Sequence, residues 1–317
     1  RKRRKRTIAN VFEDIQPQRV LRTRYKGLIN PKNSCYFNSV LQCLLHCPLA
    51  RLTIENVPEY ALSDVLREIR ILFNRMTNND AATSLLPSEC FHAVLNTPEC
   101  RSVQMGLHDR QEDVTEFFLK LLENFDEELS AVAEVFNLPD VFSIHISSTI
   151  FCHYCSQSSV TKERLWVLSL PFPMHYNEEA ADSVSQVLDI TSLLDRYLRA
   201  EIIDDHKCSC SLVGGTERKL NIINVPQLLV IQLVRFTNQF EKIDTFVAFS
   251  TELRTAHIKD GNGQQIRYRL TGMIEHTGAS IAGGHYIAHF LIDGSWFEAN
   301  DSRVRELSWE TVRALQA

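Results

Sequence analysis

A thiol, an imidazole and a side-chain amide occupy positions from which nucleophilic catalysis could be performed. Cys35 follows a run of turn-forming residues and precedes apolar residues at helical spacing, so a loop passes into a helix at that point. The free N–H groups and positive dipole end of a first helical turn favour a thiolate over a thiol. Ser34 is expected to cap the helix. Cys35 is therefore a candidate nucleophile.

The alternative is that Cys35 is one small buried hydrophobic residue among nine cysteines. A cysteine after a turn is common, and a motif of this kind produces false positives. A cysteine nucleophile also needs a base, and the base needs a group that orients it. The rest of the chain must supply both groups.

His285 is the candidate base among eleven histidines. It follows two glycines at the start of a predicted strand, where another backbone segment can approach closely. The Asp-Gly pair at 293–294 predicts a two-residue hairpin turn, which returns the chain so that Asn300 lies near His285. An amide at that position can accept the imidazole N–H and fix the tautomer.

The elements that must position these groups change in character along the chain. Apolar residues repeat at helical spacing up to about residue 130, and most of the chain after 141 alternates as strands do. The expected fold class is α+β, with a mainly antiparallel C-terminal sheet. Helices are predicted over 35–47, 63–76, 87–95, 111–129 and 190–199, and strands over 142–146, 160–170, 219–225, 228–236, 246–249, 266–275, 285–292 and 295–298.

Composition restricts the class of protein. The chain has 317 residues and 44% hydrophobic content, enough for one large domain with subdomains or for two domains. No apolar run approaches the roughly 20 residues of a membrane helix. The sequence starts with Arg and lacks a signal segment, so we expect a piece of a longer protein. Several cysteines are scattered singly rather than spaced as a disulfide framework, which favours a reducing compartment, the nucleus or cytoplasm.

Charge is distributed unevenly. The formal net charge is −5, although the first six residues are all Lys or Arg, so the remainder is more acidic than the whole. An acidic body suits a basic partner and makes nucleic acid an improbable ligand, except through the tail. The run Arg1 to Arg6 is either a solvated, disordered tail or a nuclear localisation signal.

From about 27 to 304 the chain resembles the catalytic domain of the ubiquitin-specific protease family, deubiquitinating enzymes of the papain-like cysteine protease superfamily. Residues 27–39 follow that family's cysteine box closely. Residues 111–117 resemble its Gln-Gln-Asp-Ala-x-Glu-Phe block, and 268–304 resemble its histidine box. Several separate blocks in the right order make the resemblance specific.

The resemblance implies a right-hand architecture. A basic, disordered tail over 1–18 would precede a catalytic domain over 19–317. That domain would comprise a helical thumb over about 19–140, β-rich and zinc-finger-like fingers over about 141–225, and an antiparallel palm over about 226–317. The fingers would grip ubiquitin and feed its tail between thumb and palm.

The resemblance also implies roles for individual residues. Cys35 would be the nucleophile, His285 the general base and acid, and Asn300 the orienting amide, with Asp301 assisting. Asn30 matches the family's oxyanion-hole side chain, where losing one donor costs on the order of 3 kcal/mol. Without the resemblance, Asn30 would be an ordinary turn residue.

The implied reaction is hydrolysis of the isopeptide bond after the C-terminal Gly-Gly of ubiquitin, with ubiquitin and ubiquitinated proteins as partners. Five residues are candidates to bind the ubiquitin tail, although Glu116 could equally be a solvated helix residue: Gln111, Asp113, Glu116, Gly284 and Tyr286. Alternatives are a protease for another modifier ending in Gly-Gly and, more distantly, papain-like hydrolysis of unfolded peptides.

Lys32 prompts a further alternative, a catalytically weak ubiquitin-binding scaffold. It stands where the family's cysteine box has Gly, so a backbone conformation natural to glycine is expected to be strained or remodelled there. It also puts a cation three residues from the nucleophile, where it can lower the thiol pKa or disturb the tail channel.

Four cysteines of the predicted fingers suit a tetrahedral structural zinc. The family often carries zinc there on two Cys-x-x-Cys knuckles. The second pair in this chain is Cys-x-Cys, so His153 or His206 can be considered as a replacement ligand. The alternative is a vestigial site with free thiols. The candidate ligands are Cys152, Cys155, Cys208 and Cys210.

Overall fold

The computed structural model describes residues 25–106, 111–130, 138–173, 188–237, 239, 241–259, 263–280 and 283–315. The predicted basic tail lies outside these residues. Helices dominate the first part of the described chain: α1 (Cys35–His46), α2 (Pro48–Glu55), α3 (Asp64–Thr77), α4 (Ser88–Leu95), α5 (Pro98–Ser102), α6 (Val114–Ser130) and α7 (Leu138–Phe142), with α8 (Ile190–Tyr197) and α9 (Trp309–Arg313) further on.

Strands dominate the second part. They are β1 (Gly27–Leu28), β2 (Ser84–Leu85), β3 (Ile144–Cys152), β4 (Ser158–Leu165), β5 (Leu168–Pro171), β6 (Glu201–Ile203), β7 (Thr216–Asn224), β8 (Ile231–Val234), β9 (Glu252–Lys259), β10 (Gln265–Arg269), β11 (Gly272–Ser280), β12 (Gly283–Ile292), β13 (Ser295–Asn300) and β14 (Arg303–Leu307). Two antiparallel sheets of four strands have the orders β4-β3-β7-β6 and β11-β12-β13-β14. β5 pairs with β8 and β1 with β2, both in parallel.

Helix α1 lies between the helical lobe and the C-terminal sheet. On one side, the rings of Tyr36 and Phe37 lie 5.2 and 5.6 Å from that of Phe117 on α6. On the other side, the Cys43 thiol lies 3.8 Å from the carbonyl of Met273 on β11. The helix is therefore buried by both lobes, and its first residue lies where they meet.

Several predicted boundaries are confirmed, and others move for local reasons. Ser63 caps α3 by accepting a hydrogen bond from the Leu66 N–H at 3.1 Å. Helix α6 begins three residues later than predicted, because the Asp113 carboxylate accepts from the N–H groups of Thr115 and Glu116, both at 2.8 Å. The predicted hairpin turn at 293–294 is present, with both residues at positive φ.

The strand predictions were less accurate. Residues 246–249 form no strand and make only an isolated bridge, between Ala248 and Asp189. Residues 266–275 divide into β10 and the start of β11. Strand β9 was missed, because its sequence is largely polar and its conformation is specified by antiparallel pairing with β10.

The predicted α+β class is confirmed, with a helical lobe followed by mainly antiparallel sheets. The boundaries of thumb, fingers and palm stay a prediction. No helix in the described part of the chain is long and apolar enough to cross a membrane.

Phe117→Ala is expected to lower the free energy of unfolding by about 3–5 kcal/mol, because Phe117 is fully buried against α1 and a cavity would remain. Guanidinium unfolding measures the change. Glu116→Ala, at the neighbouring exposed position, serves as the control. A loss below about 1 kcal/mol would contradict the packing of α6 on α1.

Candidate active site

Asn30 braces the loop that leads into α1. Its side-chain oxygen accepts hydrogen bonds from the N–H and the hydroxyl of Ser34, both at 3.0 Å. Ser34 therefore does not cap the helix with its side chain, and that prediction was wrong. Lys32 has no positive φ, so the strain expected there is absent; the left-handed conformation falls on Asn33, at φ +44°, which asparagine tolerates.

The Cys35 thiol lies in the first turn of α1 and is only 2% exposed. The Gln111 amide donates a hydrogen bond to its sulfur at 3.6 Å. An amide donor and the positive end of a helix dipole both stabilise a thiolate. The thiol thus occupies the position predicted for a nucleophile.

His285 and Asn300 are brought together by β12 and β13, as the hairpin predicted. The His285 Nε2 lies 2.9 Å from the Asn300 Oδ1 and 3.7 Å from the Asp301 Oδ2. A hydrogen bond to Cys35 is the largest influence that raises the pKa of His285 to about 9; burial opposes it, and Asn300 adds to it. Because Asn300 engages Nε2, the Nδ1 nitrogen remains for the sulfur.

Asp301 joins the two halves of the site. Its carboxylate accepts hydrogen bonds from the Asn30 amide at 3.0 Å and the Asn38 amide at 2.8 Å. Its backbone carbonyl accepts from the Leu28 N–H at 2.8 Å. Gly27 allows this approach, because a Cβ there would lie 2.2 Å from the Ser302 carbonyl carbon. Asp301 thereby fixes the loop and α1 against the end of β13.

The Asn30 side chain lies against Ser34, the residue before the candidate nucleophile, and its oxyanion role stays a prediction. A side-chain amide carries two N–H donors. Asp301 takes one of those donors. Because the Asn30 oxygen is held by Ser34, the orientation of the amide is fixed before any substrate arrives.

Four of the five predicted tail-binding residues lie where the helical lobe meets the C-terminal sheet. Gln111 contacts Cys35 directly. Tyr286 is buried, and its burial, followed by the charge of Asp113, raises its pKa. Gly284 lies against His276, since a Cβ at that position would be 2.3 Å from the His276 Nε2. Glu116 is different, because its side chain is exposed on the first turn of α6.

Sequence reasoning missed two contributors. Asn38 donates to Asp301 and to the Leu28 carbonyl, yet it was treated only as part of the cysteine box. A polar residue among the apolar positions of α1 was the available signal, because buried amides need partners. No local sequence pattern indicated the contact of His276 with Gly284.

The four candidate metal ligands come together. The sulfur atoms of Cys152, Cys155, Cys208 and Cys210 all lie within 4.8 Å of one another. Two pairs, 152/210 and 155/208, are 3.9 and 3.6 Å apart. Sulfurs about 2.3 Å from a tetrahedral zinc stand about 3.8 Å apart, so the arrangement fits such an ion.

Neither histidine suggested as a replacement ligand belongs to this group of sulfurs. His153 instead lies 3.8 Å from a carboxylate oxygen of Glu217, and the His206 carbonyl accepts from the Gly214 N–H. The shorter Cys-x-Cys spacing is accommodated by a tight turn in which the Cys208 N–H donates to Leu212 and Ser211 has positive φ.

The sequence model of the ubiquitin carboxyl-terminal hydrolase family matches residues 26–317. The chain belongs to this family. The predicted family is thereby confirmed, and the match covers both the helical lobe and the sheets that carry the site.

Similar members of the hydrolase family include ubiquitin carboxyl-terminal hydrolase 36 of Drosophila melanogaster, 27% identical over 90% of this chain. Ubiquitin carboxyl-terminal hydrolase 8 of Saccharomyces cerevisiae is 25% identical over 98% of it. The chain spans 28% of the fly protein and 74% of the yeast protein.

Solved structures share the fold of this chain. A SAGA DUB module of Ubp8, Sgf11, Sus1 and Sgf73 bound to monoubiquitin has a TM-score of 0.73 at 23% identity, covering 98% of this chain and 72% of that one. The same module bound to ubiquitin aldehyde has a TM-score of 0.70, covering 97% and 71%.

Cys35→Ala is expected to lower the pKa of His285 from about 9 towards its usual value of 6.5, because the bond to the thiol is the largest cause of the shift. Asn300→Ala should lower it less. An NMR titration of the His285 ring measures both changes. Asn96→Ala, at an exposed position on the helical lobe, is the control. An unchanged His285 titration in Cys35→Ala would contradict the pairing.

Proposed function

We propose that this protein is a thiol-dependent deubiquitinase that hydrolyses the isopeptide bond after the C-terminal Gly-Gly of ubiquitin. The observation that supports it most is the contact of Cys35, His285 and Asn300 in a chain of the ubiquitin carboxyl-terminal hydrolase family. Thiol, imidazole and amide are the groups that acyl transfer through a thioester needs.

In the proposed reaction, the Cys35 thiolate attacks the carbonyl carbon of the last ubiquitin glycine. The negative charge passes to the carbonyl oxygen, and the amide N–H groups of Asn30 and the first turn of α1 stabilise it. The His285 imidazolium then donates its proton to the departing lysine amine, leaving a thioester on Cys35. His285 next takes a proton from water, which attacks the thioester and releases the ubiquitin carboxylate and the thiol.

Asn300 and Asp301 act on His285 in different ways. Asn300 accepts from Nε2 at 2.9 Å and thereby fixes the ring and its tautomer. Asp301 lies 3.7 Å away and supplies a negative charge that favours the imidazolium. Since two amides already hold the Asp301 carboxylate, we assign it a positioning role.

A glycine-ended tail suits the cleft between the two lobes. Gly284 leaves no side chain on the palm side, and the buried Tyr286 follows it two residues later on the same strand, β12. The Asp113 carboxylate at the start of α6 suits a basic tail, as ubiquitin's is. Gln111, Asp113, Gly284 and Tyr286 are thus proposed to bind the tail, and Glu116 only to face solvent near it.

The scaffold alternative loses one of its two reasons. It was prompted by the expected strain at Lys32 and by a cation three residues from the nucleophile. Lys32 has no positive φ, whereas the cation remains. Other modifiers that end in Gly-Gly would fit the same narrow cleft. Labelling by a ubiquitin probe, compared with labelling by a probe made from another such modifier, decides between them.

We also propose a structural zinc on Cys152, Cys155, Cys208 and Cys210. The ion would link the turn after β3 to the turn that precedes β7. Without the ion, a few backbone hydrogen bonds would hold these two turns together. It would take no part in the reaction at Cys35. Thiolate ligands and a thiol nucleophile both need reduced cysteines, and all nine are unpaired, so we place the protein in the nucleus or cytoplasm.

Cys35→Ala is expected to reduce hydrolysis of a ubiquitin–fluorophore substrate by at least about a thousandfold, because the nucleophile is removed. A ubiquitin vinyl-type probe should label the natural protein once, as mass spectrometry measures. Cys43→Ala on the same helix should retain labelling, since burial raises the pKa of the Cys43 thiol to about 12. Stronger labelling by a probe made from another Gly-Gly modifier would change the assigned substrate.

Freshly purified protein is expected to contain about one zinc per chain, and Cys155→Ser with Cys208→Ser should lose it. Removal of the ion should lower the unfolding midpoint by roughly 5 °C, because binding stabilises the folded state. Elemental analysis and thermal unfolding measure both effects. Cys47→Ser, outside the cluster, is the control. Protein purified without chelators that holds no zinc would refute the site.

A further inference from the structure

Lys242 lies beside the hairpin that carries the candidate base, although the reaction described above gives it no role. The chain turns back on itself after β8, so that Phe236 and Lys242 pair in an antiparallel bridge. The Lys242 ammonium donates hydrogen bonds to the backbone carbonyls of His276 at 2.8 Å and Gly278 at 3.0 Å. Both carbonyls belong to β11. This lysine therefore joins the turn after β8 to the strand that neighbours β12.

The two carbonyls lie on an edge strand. In the described part of the chain, β11 pairs with β12 alone and ends the sheet β11-β12-β13-β14. Carbonyl groups on the outer side of an edge strand have no partner strand to pair with. An ammonium offers three donors, and hydrogen bonds from a charged donor are stronger than those from a neutral one. Lys242 therefore holds this segment where a neighbouring strand is lacking.

Thr277 lies between the two carbonyls and contacts the candidate base. It pairs with His285 across β11 and β12, and its hydroxyl donates to the His285 carbonyl at 3.2 Å. The register of the two strands shifts directly after this pair, between Thr277 and Ser280. Gly278 has φ +125°, and a Cβ there would lie 2.8 Å from the Gly284 Cα. The backbone of His285 is thus held at the point where strand pairing becomes irregular.

The contact of Lys242 belongs to a packed interface. The Phe236 ring, from the same turn, lies 5.7 Å from the His276 ring. The His276 ring in turn lies 4.7 Å from the ring of Tyr286 on β12. Lys242 itself is partly buried, and hydrogen bonds that are shielded from water hold their partners more strongly than solvated ones.

We propose that Lys242 is a positioning residue for the reaction at Cys35, because it holds the backbone around Thr277 and thereby the place of the His285 imidazole. The inference rests on the proposed deubiquitinase function and adds a residue to its machinery. Asn300 fixes the ring of His285, whereas Lys242 fixes the backbone from which that ring projects. Such support matters because a misplacement of about 1 Å can cost on the order of a hundredfold in rate.

The test compares three lysine variants by steady-state hydrolysis of a ubiquitin–fluorophore substrate. Lys242→Met keeps the stem and removes the donors and the charge. It should lower kcat about tenfold and change KM by less than about twofold, because the chemical step is affected and ubiquitin binding is not. Lys242→Arg keeps the donors and the charge and should stay within about threefold of the natural kcat. Lys259→Met, the same change at an exposed position on β9, is the control and should leave kcat unchanged.

An NMR titration of the His285 ring provides a readout that needs no substrate. The hydrogen bond to Cys35 is the largest cause that raises the pKa of His285 to about 9. A displaced ring bonds the thiol less well, so Lys242→Met should lower the pKa of His285 towards its usual value of 6.5. Lys259→Met should leave the titration unchanged. A lysine that only stabilises the fold would lower the unfolding midpoint without moving this titration.

Thr277→Val tests the connection between Lys242 and His285. It removes the hydroxyl that bonds the His285 carbonyl and leaves the lysine contacts in place. It should also lower kcat with KM unchanged. Because both residues act on His285 through the same segment, the double variant should lose less kcat than the product of the two single losses.

An unchanged kcat and an unchanged His285 titration in Lys242→Met would overturn the proposal. A rise in KM alone would also overturn it, since it would assign Lys242 to ubiquitin binding. If Lys242→Met does not fold, Thr277→Val decides, and a natural kcat in that variant would sink the idea. The proposed function fails separately: a natural protein that cleaves no ubiquitin substrate would refute it, whereas a His285 titration that still moves in Lys242→Met would leave the placement of the imidazole by Lys242 standing.

Discussion

The hydrogen bonds that the Asp301 carboxylate accepts from Asn30 and Asn38 hold the candidate active site together. Asn30 belongs to the loop before the thiol, and Asn38 to the helix that carries it. Asp301 itself ends the strand pair that carries the imidazole. Removing the carboxylate would leave one N–H donor of Asn30 and one of Asn38 without its acceptor, and a buried donor without an acceptor costs more than the hydrogen bond itself contributes. The relative position of the Cys35 sulfur and the His285 imidazole thus depends on Asp301, a residue that takes no part in bond making or breaking in the proposed reaction.

In this arrangement, one residue orients the His285 ring and a different residue supplies the negative charge near it. A carboxylate in direct contact with the imidazole would compete for its proton, whereas a neutral amide only directs it. Asn300 holds the ring at 2.9 Å, and Asp301 acts on it from 3.7 Å. The same carboxylate also accepts hydrogen bonds from the Asn30 and Asn38 amides, which fix its position. The negative charge of Asp301 therefore favours the His285 imidazolium without a direct hydrogen bond between the two groups.

Much of the site could be predicted from the sequence, because its signals are local. The change from turn residues to a helical stripe located Cys35, and the hairpin turn at 293–294 related His285 to Asn300. The bracing role of Asp301 could not be predicted in the same way. Its partners lie 263 and 271 residues away, and no local pattern specifies which amides a distant carboxylate will meet. At the sequence level Asp301 was no more than an assistant to its neighbour.

The errors in the fold have the same origin. Ser34 has the residue type of a helix cap, but its backbone, at φ −95° and ψ 17°, is outside the extended conformation typical of an N-cap, and its side chain makes no capping hydrogen bond. Strand β9 has little alternation and is specified by pairing with β10. The conformation natural to glycine falls on Asn33 instead of Lys32, a shift of one residue that the family pattern alone did not indicate. Tertiary contacts decide each of these cases.

The distance along the chain between Asn30 and Asp301 has a consequence for biosynthesis. A ribosome adds the intervening 271 residues over on the order of tens of seconds, and contacts of such long range form slowly in folding. Throughout that interval the nascent chain carries Cys35 without its proposed base, His285. A product that terminates before β12 lacks His285 and Asn300, so under the proposed function it cannot hydrolyse a ubiquitin conjugate.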